Sequence, residues 1–207
     1  MELETKNYLE QLKEWPQSGK HILAQYTDEY VVVYQAYKPS IGQFAAEHQY
    51  FAGDFSFTRM SWIKTNFLWM MYRSGWGTKA GQEITLAIYL KRDYFQKILS
   101  AAYPSTNVCG MPKDEWDQAI AATNVRLQWD PDHDPHGAKQ ERKAIQLGLR
   151  KEFLEPFSGE GILRIEDVSD FVSTQREHVQ RNELHKLITP SESCFPISDE
   201  QAQTLNL

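Results

Sequence analysis

The spacing of apolar positions along the chain predicts many short elements of both kinds. Tyr8, Leu12 and Trp15 recur at i, i+4 and i+7, one face of a helix over 3–15 that Pro16 stops. A turn at 17–20 and a short apolar segment at 22–26 follow. Tyr30–Tyr37 then reads YVVVYQAY, the β-branched and aromatic composition of a buried strand. Lys38, Pro39 and Ser40 break it, and Ser40 is placed to cap a helix through Ile41, Phe44, Ala45 and His48. Residues 59–64 alternate weakly, as a strand would. Thr65 or Asn66 then caps a helix over Phe67–Ser74, which Gly75 ends.

The second half continues in the same manner. Residues 83–90 (EITLAIYL) predict a second buried strand, 92–102 a helix and 104–112 a loop, after which Asp114 caps a helix to Ala121. Residues 125–129 alternate cleanly, a strand with one wet face. The run DPDHDPHGA at 130–138 reads as a loop, and 144–149 as another strand. A short helix to Phe157, a strand at 161–165 and a helix over 168–187 complete a globular body of 1–188. Residues 189–207 read as a frayed polar tail. Helices and strands mix without a βαβ rhythm. The expected class is therefore α+β, one domain with a central mixed or split β-sheet flanked by helices.

Composition narrows the function classes. Nowhere do about 18 apolar residues run together, so no membrane-spanning helix or membrane partner is expected. The acidic, amphipathic start is unlike a signal peptide, and Cys109 and Cys194 lie far apart without metal-type spacing. A reducing, cytoplasmic setting fits. The net charge of −6 conceals an asymmetry: residues 59–100 carry 7 Lys/Arg against 2 Asp/Glu, while both flanks are acidic. Such a chain is not a bulk DNA binder, yet its basic island suits one phosphorylated ligand.

That island coincides with the densest aromatic block. Phe55, Phe57, Trp62, Phe67, Trp69, Tyr72 and Trp76 are interleaved with Arg59, Lys64 and Arg73, and Lys79 follows. Cationic side chains pair with phosphate and indoles stack on flat rings. Arg59, Lys64, Arg73 and Lys79 are thus candidate phosphate contacts, and Trp62, Trp69 and Trp76 candidate stacking faces. On the predicted helix Trp69 lies four residues before Arg73, so the guanidinium is expected against the indole. A hydrophobic core fringed by surface ion pairs would use the same residues. Gly75, Gly77 and Gly81 could aim backbone N–H groups at an anion, although a plain connection explains them equally well.

Two glutamines, Gln35 and Gln146, sit inside apolar strands, where an amide is costly unless hydrogen-bonded. They are candidates for positioning a reacting group, with satisfied core amides as the alternative. Asp130, Asp132, Asp134 and His136 alternate, with Glu141 at the twelfth place of a calcium-type loop, but Pro135 stands where such a loop turns on glycine. His133 and His136 lack a second ligand pair, so no metal is expected and a solvated acidic loop is the simpler reading. Glu152 and Glu155 are surface carboxylates, unless one reaches a cationic transition state.

The runs VYQAY, RMSWIKTNFLWMMYRSGWGTKAGQE, LAI, VRLQWDPDHD and AIQLGL closely resemble the domain of unknown function 4291 family, over roughly 20–185. Ile22, Leu23 and Ala24 stand where that family commonly has Ile-Arg-Ala, and Thr65 where it has proline. The strand, Pro-Ser turn and helix at the start, and the later strand–helix–strand from Ala144 to Ile165, are similar in layout to ADP-ribosyltransferase-type folds. Gln35 occupies the place of their usual first-strand histidine or arginine. This resemblance implies NAD as the cofactor of a nucleotide-using transferase, with Gln35 and Gln146 positioning the reacting sugar. A non-catalytic module binding a nucleotide or RNA through the same surface is the alternative, and a protein-interaction domain with an exposed aromatic patch is a third.

Overall fold

In the computed structural model, which describes residues 3–107 and 110–207, the long strands decide the architecture. The first half contains β1 (Thr5–Asn7), α1 (Tyr8–Glu14), β2 (Gly19–Lys20), β3 (Leu23–Ala24) and β4 (Tyr30–Tyr37). Then come α2 (Pro39–His48), β5 (Ser61–Lys64), α3 (Phe67–Ser74), β6 (Ile84–Lys91) and α4 (Arg92–Ser100). The second half begins with β7 (Ala102–Pro104), α5 (Lys113–Ala122), β8 (Val125–His133) and β9 (Lys139–Leu149). After two 3₁₀ turns it ends with β10 (Ile162–Asp167), α6 (Ser169–Gln180), β11 (Ile188–Pro190), β12 (Ser193–Cys194) and α7 (Asp199–Leu205). Cys109 lies outside the described residues.

The fold is α+β around a mixed sheet, in the order β10-β6-β4-β5-β9-β8-β7, with β2 added beside β9. Neighbours on this path are antiparallel except β7 and β8, and β2 runs parallel to β9. Side chains alternate across a strand, so each long strand feeds two cores. Val31, Val33, Leu86, Ile88, Ile145 and Leu147 face α2, α4 and α7. Tyr30, Val32, Tyr34, Ala87 and Tyr89 face α1, α3 and α6. β4 and β6 pair along their full lengths, and β8 and β9 along most of β8. Between these two pairs, β4 meets β5 only at Tyr34↔Lys64. The sheet is split there.

Local chemistry explains the elements that were legible. β4 has the predicted bounds, and so does α3: the Asn66 side chain accepts from the Trp69 N–H at 2.7 Å, and Gly75 closes the helix at φ 60°. Other expectations need correction. Thr5–Asn7 does not belong to the first helix but pairs with β11, and α1 starts at Tyr8. Ser40 caps nothing; Lys38 holds the cap position, and the Ser40 hydroxyl donates to Asp54. The first four residues of the supposed 130–138 loop continue the strand, and 134–138 form the hairpin turn. The residues from Thr189 onward, expected as a frayed tail, are built into the fold. β11 pairs with β1, β12 pairs with β3, and α7 carries a capping box on Ser198 and Gln201. Among the described residues no helix is long and apolar enough to cross a membrane.

Candidate functional site

The split sheet aligns a row of side chains. Tyr34, Lys64, Gln146 and Gln128 are successive cross-strand partners on β4, β5, β9 and β8, so all four project from one face. α3 packs over the same face and presents Trp69, Tyr72 and Arg73, at i, i+3 and i+4, beside that row. Together with Trp62, Asp130, His133 and Lys139 these residues line a cleft of about 490 Å³. A second pocket of about 300 Å³ opens at the split, where Gln35, Tyr37, Met60 and Ser61 contribute. Trp62, Lys64 and Arg73 line both, forming a ridge between them.

Lys64 is the anomalous member. It is only 8% exposed, and its Nζ makes one hydrogen bond, donated to the Trp62 carbonyl at 3.1 Å. The same Nζ lies 5.2 Å from the Trp69 ring centroid. Burial chiefly, then repulsion from Arg73, pulls its pKa down to about 8 against the opposing pull of Asp130. Asp130 is held in turn: its two oxygens accept from Gln128 Nε2 at 2.9 Å and Gln146 Nε2 at 2.6 Å. The indole N–H of Trp69, in the cleft wall, has no partner among the described residues. Gly148 faces Trp62 across the sheet because any Cβ there would come within 2.5 Å of the Met60 sulfur.

Of the residues singled out from sequence, Trp62, Lys64, Trp69, Arg73 and Gln146 converge on the cleft, and Gln35 on the adjoining pocket. Gln146 orients Asp130. Gln35 stitches the split, donating to Ser61 Oγ at 2.8 Å and the Trp62 carbonyl at 3.0 Å, while its own buried carbonyl oxygen lacks a donor. The cation over Trp69 is Lys64, not Arg73; Arg73 stands exposed at the ridge. Three residues lie elsewhere. Arg59 is exposed and lines neither pocket. Lys79 folds back to donate to the Arg73 carbonyl at 2.5 Å, capping α3. Trp76 donates to the Pro135 carbonyl at 3.1 Å and pins the β8–β9 turn.

The glycine turn is not an anion cradle. The N–H groups of Gly75, Trp76, Gly77, Thr78, Lys79 and Gly81 already donate to Tyr72 O, Met71 O, Ser74 Oγ, Gly75 O, Ser74 O and Glu83 Oε1. The acidic run is not solvated either: Asp132 is buried against Arg142, and His133 lies beneath Tyr72. Sequence reasoning missed Tyr72, Gln128, Asp130, His133 and Lys139 as site residues. The signal for two of them was present, since the alternation Arg126, Gln128, Asp130 continues past Trp129. A larger groove of about 840 Å³ lies by α4 and the 3₁₀ turns. Arg92 there is paired with Asp28 at 2.8 Å, and among the described residues none of the buried unpartnered polar side chains lines that groove.

The sequence model of the family described as a domain of unknown function, DUF4291, matches residues 21–195. The chain belongs to that family. The matched span of the DUF4291 domain contains both pockets and the ridge between them, and leaves α1 and α7 outside. Leu23, where the resemblance puts an arginine, is packed in the core with Tyr30 and Phe67 and lines neither pocket of this DUF4291 domain. A comparison with the curated proteins finds no match.

Proposed function

We propose that the cleft and its neighbour bind a dinucleotide of the NAD class, and that the protein transfers the ADP-ribosyl group from it. The observation that carries this reading is the ridge. Two adjoining pockets share one buried ammonium, Lys64, and one exposed guanidinium, Arg73. A ligand with two ring systems joined by a pyrophosphate has that charge pattern, and Trp62, Trp69 and Tyr72 offer ring faces on the larger side. Asp130, fixed by two amides, supplies a carboxylate for the cationic ribosyl centre that forms as nicotinamide leaves.

Titration calorimetry with NAD, ATP and ADP-ribose tests the binding half, and release of nicotinamide from NAD tests the transfer. No binding of any of the three at millimolar concentration would sink the proposal. Binding without nicotinamide release would leave a nucleotide-binding module. Arg73→Lys keeps the charge but loses the fork, and should weaken binding by about 1.5–3 kcal/mol with the fold unchanged.

Lys64 gives a second, sharper expectation. A lysine whose folded pKa is lowered binds fewer protons in the native state than in the unfolded chain. Stability is therefore lost as pH falls from the unfolded value of 10.5 through about 8, and the full cost is present at neutral pH. Lys64→Met should raise stability at neutral pH by up to about 3 kcal/mol while removing ligand binding. In the parent, binding of the anion should weaken above about pH 8 as the amine loses its charge. A melting temperature lowered by Lys64→Met, with ligand binding intact, would assign Lys64 to the scaffold.

A further inference from the structure

The His133 imidazole makes no hydrogen bond among the described residues. The side chain is buried, the residue being 2% exposed, yet neither ring nitrogen has a hydrogen-bond partner. A histidine kept only for packing ordinarily satisfies at least one of them. The ring lines the 490 Å³ cleft. An irregularity of pairing between Pro131 and His133 re-aims the end of β8, and the His133 backbone N–H donates to Asp132 Oδ1 at 2.7 Å. The neighbouring carboxylates are engaged elsewhere. Asp132 holds Arg142, Asp130 takes the two glutamines, and Asp134 accepts from the backbone N–H groups of His136 and Ala138.

One face of the imidazole is covered by an exposed side chain. The Tyr72 ring stacks on it at 3.6 Å between centroids and 8° between planes. Tyr72 is itself 45% exposed, at the last turn of α3, and its outer neighbour is Gly137, where a Cβ would come within 3.3 Å of the ring. A side chain so exposed can change rotamer without disturbing the core. We propose that His133 is the general base that activates the acceptor in this cleft, and that the Tyr72 ring is the cover that moves aside to admit it.

The inference rests on the reading of the cleft as an NAD site. Burial holds the imidazole below its ordinary pKa, with Lys139 across the strand acting in the same sense and Asp132, Asp134 and Asp130 opposing. The ring is therefore neutral at pH 7 and carries a free lone pair. In the step, a hydroxyl or amine of the acceptor passes its proton to that nitrogen as its heteroatom attacks C1 of the nicotinamide-bearing ribose. The glycosidic C–N bond breaks, and its electron pair leaves with nicotinamide, now neutral. The imidazolium so formed is stabilised by the surrounding aspartates.

Two measurements test the proposal. Labelling with diethyl pyrocarbonate, mapped by peptide mass spectrometry, reads the cover without any ligand. His133 should label about tenfold or more slowly than exposed His48 in the parent and in Tyr72→Phe, and approach the His48 rate in Tyr72→Ala. With NAD as substrate and water as the acceptor, His133→Gln should bind NAD within about twofold of the parent yet release nicotinamide about 100-fold more slowly. The acid limb of its pH profile should also be lost. Equal labelling of His133 in the parent and Tyr72→Ala overturns the cover. A parent that binds NAD and releases nicotinamide, with His133→Gln equally fast, overturns the base alone. A parent that binds no NAD overturns the cleft reading and the role of His133 together.

Discussion

Replacing Arg142 with methionine should cost about 3–5 kcal/mol of stability, the scale of a buried charge left without its partner. Arg142 and Asp132 are 2% and 0% exposed, and Arg142 Nε lies 2.5 Å from Asp132 Oδ2. The guanidinium also donates to the Pro16 carbonyl at 3.1 Å and covers the Trp15 ring at 5.2 Å, so it ties the N-terminal helix to the β8–β9 hairpin. Methionine fills part of the volume but offers the carboxylate nothing. Burial already holds Asp132 above its unfolded value of 3.8 against the pull of Arg142, and loss of that pull raises it further. A carboxyl with a raised folded pKa binds more protons in the native state than in the unfolded chain. Its contribution therefore worsens as pH rises above the unfolded value and eases as pH falls back toward it. Urea titrations should find the deficit larger at about pH 8 than at about pH 5. An equal deficit at both would show that lost packing, not the stranded charge, is responsible.

Deleting residues 189–207 should lower the melting temperature by about 10–20 °C, the shift that a loss of about 5 kcal/mol gives a chain of this size. This segment is the strap of the molecule. Glu192 Oε1 accepts the Phe67 N–H at 2.7 Å at the start of α3, the Glu192 backbone N–H donates to Gln11 at 2.8 Å, and its carbonyl accepts the Trp15 indole at 2.9 Å. Burial pushes the Glu192 carboxyl well above its ordinary range, so the position is stable only while those partners surround it. Phe195 and Leu205 are buried in the core beneath α4, each contributing about 1.5–3 kcal/mol. The Trp129 indole donates to the Leu205 carbonyl at 3.0 Å. Because the strap holds the first turn of α3, the truncated protein should lose ligand binding as well as stability. Unchanged melting on calorimetry would show that the segment is a tail after all.

What could be read from the sequence was what local chemistry decides. Tyr30–Tyr37 is an uninterrupted β-branched and aromatic run, and α3 carries its own cap and its own terminator. Trp62, Lys64, Trp69 and Arg73 line one cleft and are grouped by sequence alone because they lie within twelve residues of one another on consecutive elements. Strand β8 was cut short at Trp129 because Pro131 normally ends a strand. Past Leu127, however, β8 has lost β7 as a neighbour, so the missing N–H of Pro131 faces no partner. Gln128, Asp130 and His133 could join the site only once β8, β9 and β5 were in register. The strap was invisible for a related reason: the partners of Thr189 and Glu192 lie in α1 and α3, far away in sequence. Arg59, Trp76 and Lys79 were included by composition, which does not say to which side of a turn a side chain leaves.

The lone backbone bridge at Tyr34↔Lys64 makes the sheet two leaves hinged on a stitch. One leaf is β10, β6 and β4; the other is β5, β9, β8 and β7, with β2 beside β9. Beside that bridge, the Gln35 side chain sews β4 to Ser61 and Trp62 of the second leaf. The proposed ligand would lie across this seam, touching Gln35 on one leaf and Lys64 on the other. Bound there, the ligand would act as a clasp, and the shear stiffness of the whole sheet would become a property of occupancy. The empty protein would be compliant along one line only, and that line runs through the ridge of Lys64 and Arg73.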